Sequence, residues 1–219
     1  MKGLALFLTL TLPFGLLAQG VNEGTFFYDI QVISSDNKPE LARSLEGATL
    51  TLYLKPNQSR SEMKSKLGSE SSIFDNRTGN GFILKEYSGQ KLMITMTREN
   101  WAQKNQLNQS LKFNILPGET EINGFKVKQA VATRPDGKEV KVYFSSTILP
   151  VNKQYNNAFN LPGIPVQYEV ESGSLKFVYK LQRYTTDIIP SQSFDAPKAG
   201  YRVMTYDENQ QLKKGLNKK

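Results

Sequence analysis

The chain has no histidine, no cysteine and a single tryptophan. Without His there is no Ser-His-Asp or Cys-His catalysis, no His general base and no His-ligated zinc. Without Cys there is no thiol nucleophile, no iron–sulfur ligation and no disulfide. No P-loop or Rossmann glycine pattern occurs, and no cofactor is expected. What remains is carboxylate chemistry, Ser–Lys chemistry or a metal held by oxygens. Each candidate has an ordinary structural explanation. Glu169 and Glu171 share a strand face, as hydrolase carboxylates can, but so do residues of any solvated strand. Glu119 and Glu121 fall in a turn-like region. Asp75-Asn76 with Asn80 is oxygen-rich, yet lacks the spacing and terminal Glu of a calcium loop. Ser61 and Lys64 form Ser-x-x-Lys without the partner motifs that would give it meaning. The chain reads as a non-enzyme.

Long hydrophobic runs are also scarce. The one that stands out is Leu4 to Leu17, interrupted by Thr9, Thr11, Pro13 and Gly15. It follows Lys2 and leads to Ala18 and a polar Gln19, the plan of a cleavable signal peptide over residues 1–18. It is shorter than the ~20 residues that span a bilayer. Gln19 stands where a lipoprotein would carry its acylated Cys. The expected product is periplasmic or secreted, and not membrane-spanning.

The remainder is rich enough to fold. It is 38% hydrophobic overall, with 12 Phe and 10 Tyr. Its length suits one domain, placed at 19–207. The net charge is +8, but Lys213, Lys214, Lys218 and Lys219 cluster at the end. Residues 208–219 are therefore expected to be a solvated, disordered tail. No nucleic-acid partner is read from the remainder.

Period-two alternation dominates the chain and predicts strands. It runs through Phe26 to Ile33, Leu50 to Lys55, Ser71 to Asp75, Phe82 to Tyr87 and Lys91 to Thr97. Further runs are Leu111 to Leu116, Phe125 to Val131, Val140 to Phe144, Val166 to Val170 and Leu175 to Leu181. Short helices are expected around Pro39 to Leu45 and Asn100 to Asn108, the second carrying Trp101. Arg134-Pro135-Asp136-Gly137-Lys138 is a hairpin turn with a mechanism, since Pro presets φ and Gly accepts positive φ. No helical crossovers separate the strands, so they are consecutive and antiparallel. The expected fold is mostly β: a curved antiparallel sheet or partly open β-barrel with a few short helices. A two-sheet sandwich is the alternative.

Several segments resemble a domain-of-unknown-function family of exported Bacteroidota proteins. They are Glu23 to Tyr28, Leu50 to Lys55 with the following Ser59 to Met63, Asn123 to Lys128, Asn160 to Pro165, and Phe194 to Pro197 leading to Gly200-Tyr201. Leu161-Pro162-Gly163 is similar to the core of the GLPGLI signature, departing from it at Asn160, Ile164 and Pro165. The resemblance implies a fold like the periplasmic lipoprotein carriers (LolA-like), with small helices near the open side of a curved sheet. It implies no activity.

Two functions follow. A binding or carrier protein for a lipid or other apolar ligand would line its cavity with Phe125, Val127, Phe144, Tyr168, Phe177 and Tyr179, which fall on successive strands. A structural or protein-interaction factor of the cell envelope would instead use loops, with Leu161, Pro162 and Gly163 as candidates. Pro162-Gly163 is also read as a type II turn.

Overall fold

The computed structural model describes residues 19–34, 39–155 and 159–216. The expected signal peptide lies outside them. The first half contains β1 (Gln19–Val21), β2 (Gly24–Ser34), α1 (Pro39–Ser44), β3 (Thr49–Lys55), β4 (Gln58–Ser65), β5 (Gly68–Asp75), β6 (Gly81–Tyr87), β7 (Gln90–Met96) and α2 (Arg98–Ser110). The second contains β8 (Asn114–Ile115), β9 (Thr120–Ile122), β10 (Phe125–Thr133), β11 (Glu139–Ser145), β12 (Ile148–Pro150), β13 (Pro165–Ser172), β14 (Leu175–Thr185), β15 (Arg202–Thr205) and α3 (Tyr206–Leu216).

The main sheet runs β15-β7-β6-β5-β4-β3-β2-β14-β13-β11-β10-β8, with β9 beside β10. Neighbours are antiparallel except β15 with β7. β1 and β12 form a separate parallel pair. The mostly β, curved, open architecture is the one expected.

Curvature follows from what meets across the sheet. Glu70 and Ser72 on β5 line the same small cavity as Tyr168 on β13. Those strands are five steps apart in the sheet. On a flat sheet five steps cover about 24 Å, so this inner face must be strongly concave. Register assigns that face: Leu52 pairs with Phe26 and Ser61, Ser61 with Ser72, Tyr28 with Leu181, and Tyr179 with Ile30 and Tyr168. The central core sits on it, around the fully buried Phe26, Leu181, Val142 and Val166. Burying each such side chain is worth about 1.5–3 kcal/mol.

The opposite face is covered by the chain after β14. Ile189 and Phe194 pack on Ile73, with Tyr53, Phe82 and Leu84 around them. Arg60 Nη1 donates to the Ser193 carbonyl (2.8 Å), and the Ile189 N–H donates to Glu23 Oε1 (2.5 Å).

Three expectations need correction. First, β4 is a strand that the alternation does not mark. Its inward residues are Ser59, Ser61 and Met63, so it shows no apolar periodicity. Second, only Asn114–Ile115 of the expected Leu111 to Leu116 strand is extended pairing. Third, Tyr206–Leu216 is a helix, not a frayed tail; residues 217–219 lie outside the described chain. Thr205 and Glu208 form its capping box: Thr205 N–H donates to Glu208 Oε2 (2.7 Å) and Glu208 N–H to Thr205 Oγ1 (3.2 Å). Asp207 and Glu208 in the first turn and Lys213 and Lys214 in the last complement the helix dipole. Tyr206 and Met204 then join Ile83, Ile94, Met96 and Trp101 in a second apolar cluster.

Candidate functional site

The concave face is not filled where β4 and β5 cross it. A cavity of about 440 Å³ lies there, within the size range of small-molecule sites. Its floor is Ser59, Ser61, Ser72 and Phe74. One wall is α2, through Arg98, Trp101, Ala102, Asn105, Asn108 and Gln109. The other is the loop after β12, through Lys153, Gln154, Tyr155, Phe159 and Asn160. A smaller cavity of about 180 Å³ adjoins it at Ser61, Ser72 and Tyr155, and reaches Tyr28, Tyr168 and Tyr179.

Each wall has a local cause. Thr97 starts α2 with a capping box: Asn100 N–H donates to Thr97 Oγ1, and Thr97 N–H to Asn100 Oδ1. Along the helix only Trp101 is buried, and its ring meets Phe74 edge-on at 5.6 Å. Without an apolar stripe, α2 spans an opening instead of sealing a core. The facing loop is anchored by Asn152, which is 2% exposed. Its Nδ2 donates to the carbonyls of Lys55 (2.8 Å) and Gln58 (3.1 Å), while its Oδ1 accepts from Asn76 Nδ2 (2.9 Å) and Gln154 N–H (2.8 Å). Ser59 Oγ adds a bond to the Gln154 carbonyl (3.0 Å). Asn152→Ala is expected to cost about 2 kcal/mol, because it strands these buried partners. A lowered midpoint in urea denaturation checks it.

Aromatic rings line the deep end. Tyr168 stacks on Tyr179 (4.6 Å, 4°), while Tyr28 and Phe159 meet Tyr168 edge-on at 6.3 and 5.3 Å. The Tyr28 hydroxyl donates to the Pro165 carbonyl at 2.8 Å. Burial pushes the Tyr28 and Tyr155 phenols far up, and Tyr179 to about 12. An unfolded tyrosine ionises near pH 10. Since the folded state holds these protons longer, their contribution is complete below about pH 10 and is lost as pH rises past it. The thermal midpoint is therefore expected to fall between about pH 10 and 12. Tyr28→Phe and Tyr179→Phe should flatten that fall, as read by scanning calorimetry across the range.

The structure brings together part of the expected site. Tyr168 and Tyr179 line the smaller cavity. Val127 and Phe144 are sealed in the core, and Phe125 and Phe177 are half-buried against it; none of these four lines either cavity. In the loop, Leu161 and Gly163 are buried and only Pro162 is exposed. Gly163 does not have the positive φ of a type II turn; Phe159 and Asn160 carry it instead (55° and 53°). Glycine is required at 163 for room, since a Cβ would sit 1.8 Å from the Ser145 carbonyl oxygen. Glu169 pairs with Lys176 and Glu171 with Lys138. Ser61 and Lys64, an odd number of residues apart on β4, point to opposite faces.

No protein-family model and no curated protein matches the chain. Solved structures with a similar fold exist. One form of PNGF-II overlays at a TM-score of 0.50 and 11% identity, over 87% of this chain and 33% of that one. This chain thus spans about a third of PNGF-II's length. An uncharacterized conserved protein from Thermus thermophilus overlays at 0.50 and 10% identity, over 84% and 91% of the two chains. MucB overlays more loosely, at 0.40 and 11% identity, over 84% and 61%. No described helix is long and apolar enough to cross a membrane. The likeness to PNGF-II and to the Thermus protein is one of fold.

Proposed function

We propose that this chain is a non-catalytic binding or carrier protein of the bacterial cell envelope, taking a lipid or other apolar ligand into the concave side of its sheet. The observation that carries the reading is the pair of adjoining cavities. They hold the rings of Trp101, Phe74, Tyr155, Phe159, Tyr168 and Tyr179, and β4 contributes only the small Ser59 and Ser61 to the floor of the larger one. Four aromatic rings stand among ten polar or charged residues in the larger cavity, and four tyrosines line the smaller one, which gives an apolar body rings to pack on and polar groups to orient it. The signal-peptide pattern and the resemblance to exported proteins support a place in the periplasm or beyond it.

The test is native mass spectrometry of the protein purified without detergent, then reloaded with dodecanol. The reading expects a one-to-one adduct that survives gentle activation and is lost on unfolding. A protein that carries no adduct before or after loading overturns it.

A further inference from the structure

The charges around the cavities are distributed unevenly. Of the residues lining the larger cavity, only Arg98 and Lys153 are charged, and both are cations. Both are exposed, which places them at its rim. The smaller, adjoining cavity has one charged residue, Glu70, whose side chain is 31% exposed and whose carboxylate is paired with Lys85 at 2.7 Å. The cations thus stand at the mouth of the larger cavity, while the buried end of the smaller one is formed by Tyr28, Tyr168 and Tyr179.

The rim cations are held in place by backbone carbonyls. Neither forms a salt bridge among the described residues, although many other Lys and Arg side chains do. Arg98 Nη2 donates to the Thr78 carbonyl (3.3 Å), which uses one of its five N–H donors. Gly79, at φ 77°, makes space for the guanidinium: a Cβ there would lie 2.5 Å from Arg98 Nε. Glu99, next in sequence, has its carboxylate held down first by hydrogen bonds to its own backbone N–H and to Thr97, and in lesser part by the Arg98 charge, with no direct ion pair between them. Asp75, in the turn near Arg98, is taken by Arg77 at 3.1 Å. Lys153 Nζ donates to the Pro162 carbonyl, and partial burial pushes its ammonium down, so a bound anion would relieve it.

We infer that the ligand is an anionic single-chain amphiphile, with its charged end at Arg98 and Lys153 and its apolar chain running inward past Trp101 and Phe74 toward Tyr168. This rests on the binding reading above and adds to it a head chemistry and a direction. The reversed orientation would take the anion away from both cations and into a lining whose one charged residue is an acid already paired with Lys85.

Trp101 is the only tryptophan and stands in the cavity wall, so its fluorescence reports binding without a label. The experiment titrates the protein with dodecanoate, dodecanol and dodecylamine. It is repeated on Arg98→Gln/Lys153→Gln and on Arg98→Glu/Lys153→Glu, with circular dichroism to confirm folding. Dodecanoate is expected to bind more tightly than dodecanol, and its advantage should shrink with salt. The Gln pair should weaken dodecanoate about tenfold, the worth of a lost charge-assisted hydrogen bond, and leave dodecanol alone. The Glu pair should turn the preference toward dodecylamine. If dodecanol binds but dodecanoate gains nothing, or the Gln pair weakens both alike, the inference fails and the cavity reading stands. If no ligand binds the unaltered protein, both fail.

Discussion

Ser61→Phe is expected to abolish ligand binding and leave the protein folded. Ser61 lies on β4 at the point where the two cavities meet, and it lines both. A phenyl ring there would occupy the path between the α2 wall and the Tyr168–Tyr179 stack. In a packed core such a change forces neighbours aside and costs about 1–3 kcal/mol. In an open cavity it meets empty space and buries new apolar area, gaining about 25 cal/mol per Å². Dodecanoate affinity should fall about a hundredfold, near 2.7 kcal/mol, while the thermal midpoint holds or rises. Unchanged affinity would show that ligand does not use this space. A collapsed midpoint would show that the space is filled in solution.

Gly163→Ala should do the reverse, striking the fold first. The added Cβ would meet the Ser145 carbonyl oxygen at 1.8 Å, and its carbon at 2.9 Å. These are backbone atoms and cannot swing aside. Relief requires separating a seam in which Ser145 N–H donates to the Ile164 carbonyl (2.8 Å) and Ile164 N–H to that of Ile148 (3.1 Å). A cost of about 3 kcal/mol is expected, at the upper end for overpacking. It should appear as a lower urea midpoint with an unchanged slope. Phe159 and Asn160, just upstream, form part of the cavity wall, so the same change should loosen binding in whatever fraction remains folded. A loss below about 1 kcal/mol would mean the seam yields more easily than packed backbone does.

These two residues also show how far the sequence can be read. The strands with apolar alternation are legible, because their inner residues fill the central core: Phe26, Tyr28 and Ile30 on β2, and Leu50, Leu52 and Leu54 on β3. β4 is not, for the same physical reason that makes it interesting. A strand that floors a cavity presents Ser59 and Ser61 inward, and small polar residues look like a turn. α2 is legible as a helix carrying Trp101, but not as a cavity wall, since its cavity-lining residues Asn105 and Asn108 are polar. The candidate lining is half legible. Tyr168 and Tyr179 lie on the concave face and reach the cavity. Phe144 lies in a strand of the same alternation but beyond the cavity's end, where the sheet is packed; only three-dimensional register separates the two cases. Gly163 carries a signal that points to the wrong mechanism, since Pro-Gly suggests a turn while close packing is the constraint. Thr205-x-x-Glu208 is a readable capping box, obscured by the lysines that follow it.

The most direct measurement is a crystal structure of the protein grown with dodecanoate. The account predicts an acyl chain between Trp101 on α2 and Ser72 on β5, its carboxylate at the Arg98 and Lys153 end and its tail toward Tyr168. A cavity holding only ordered water, or a ligand bound outside the concave face, would contradict it.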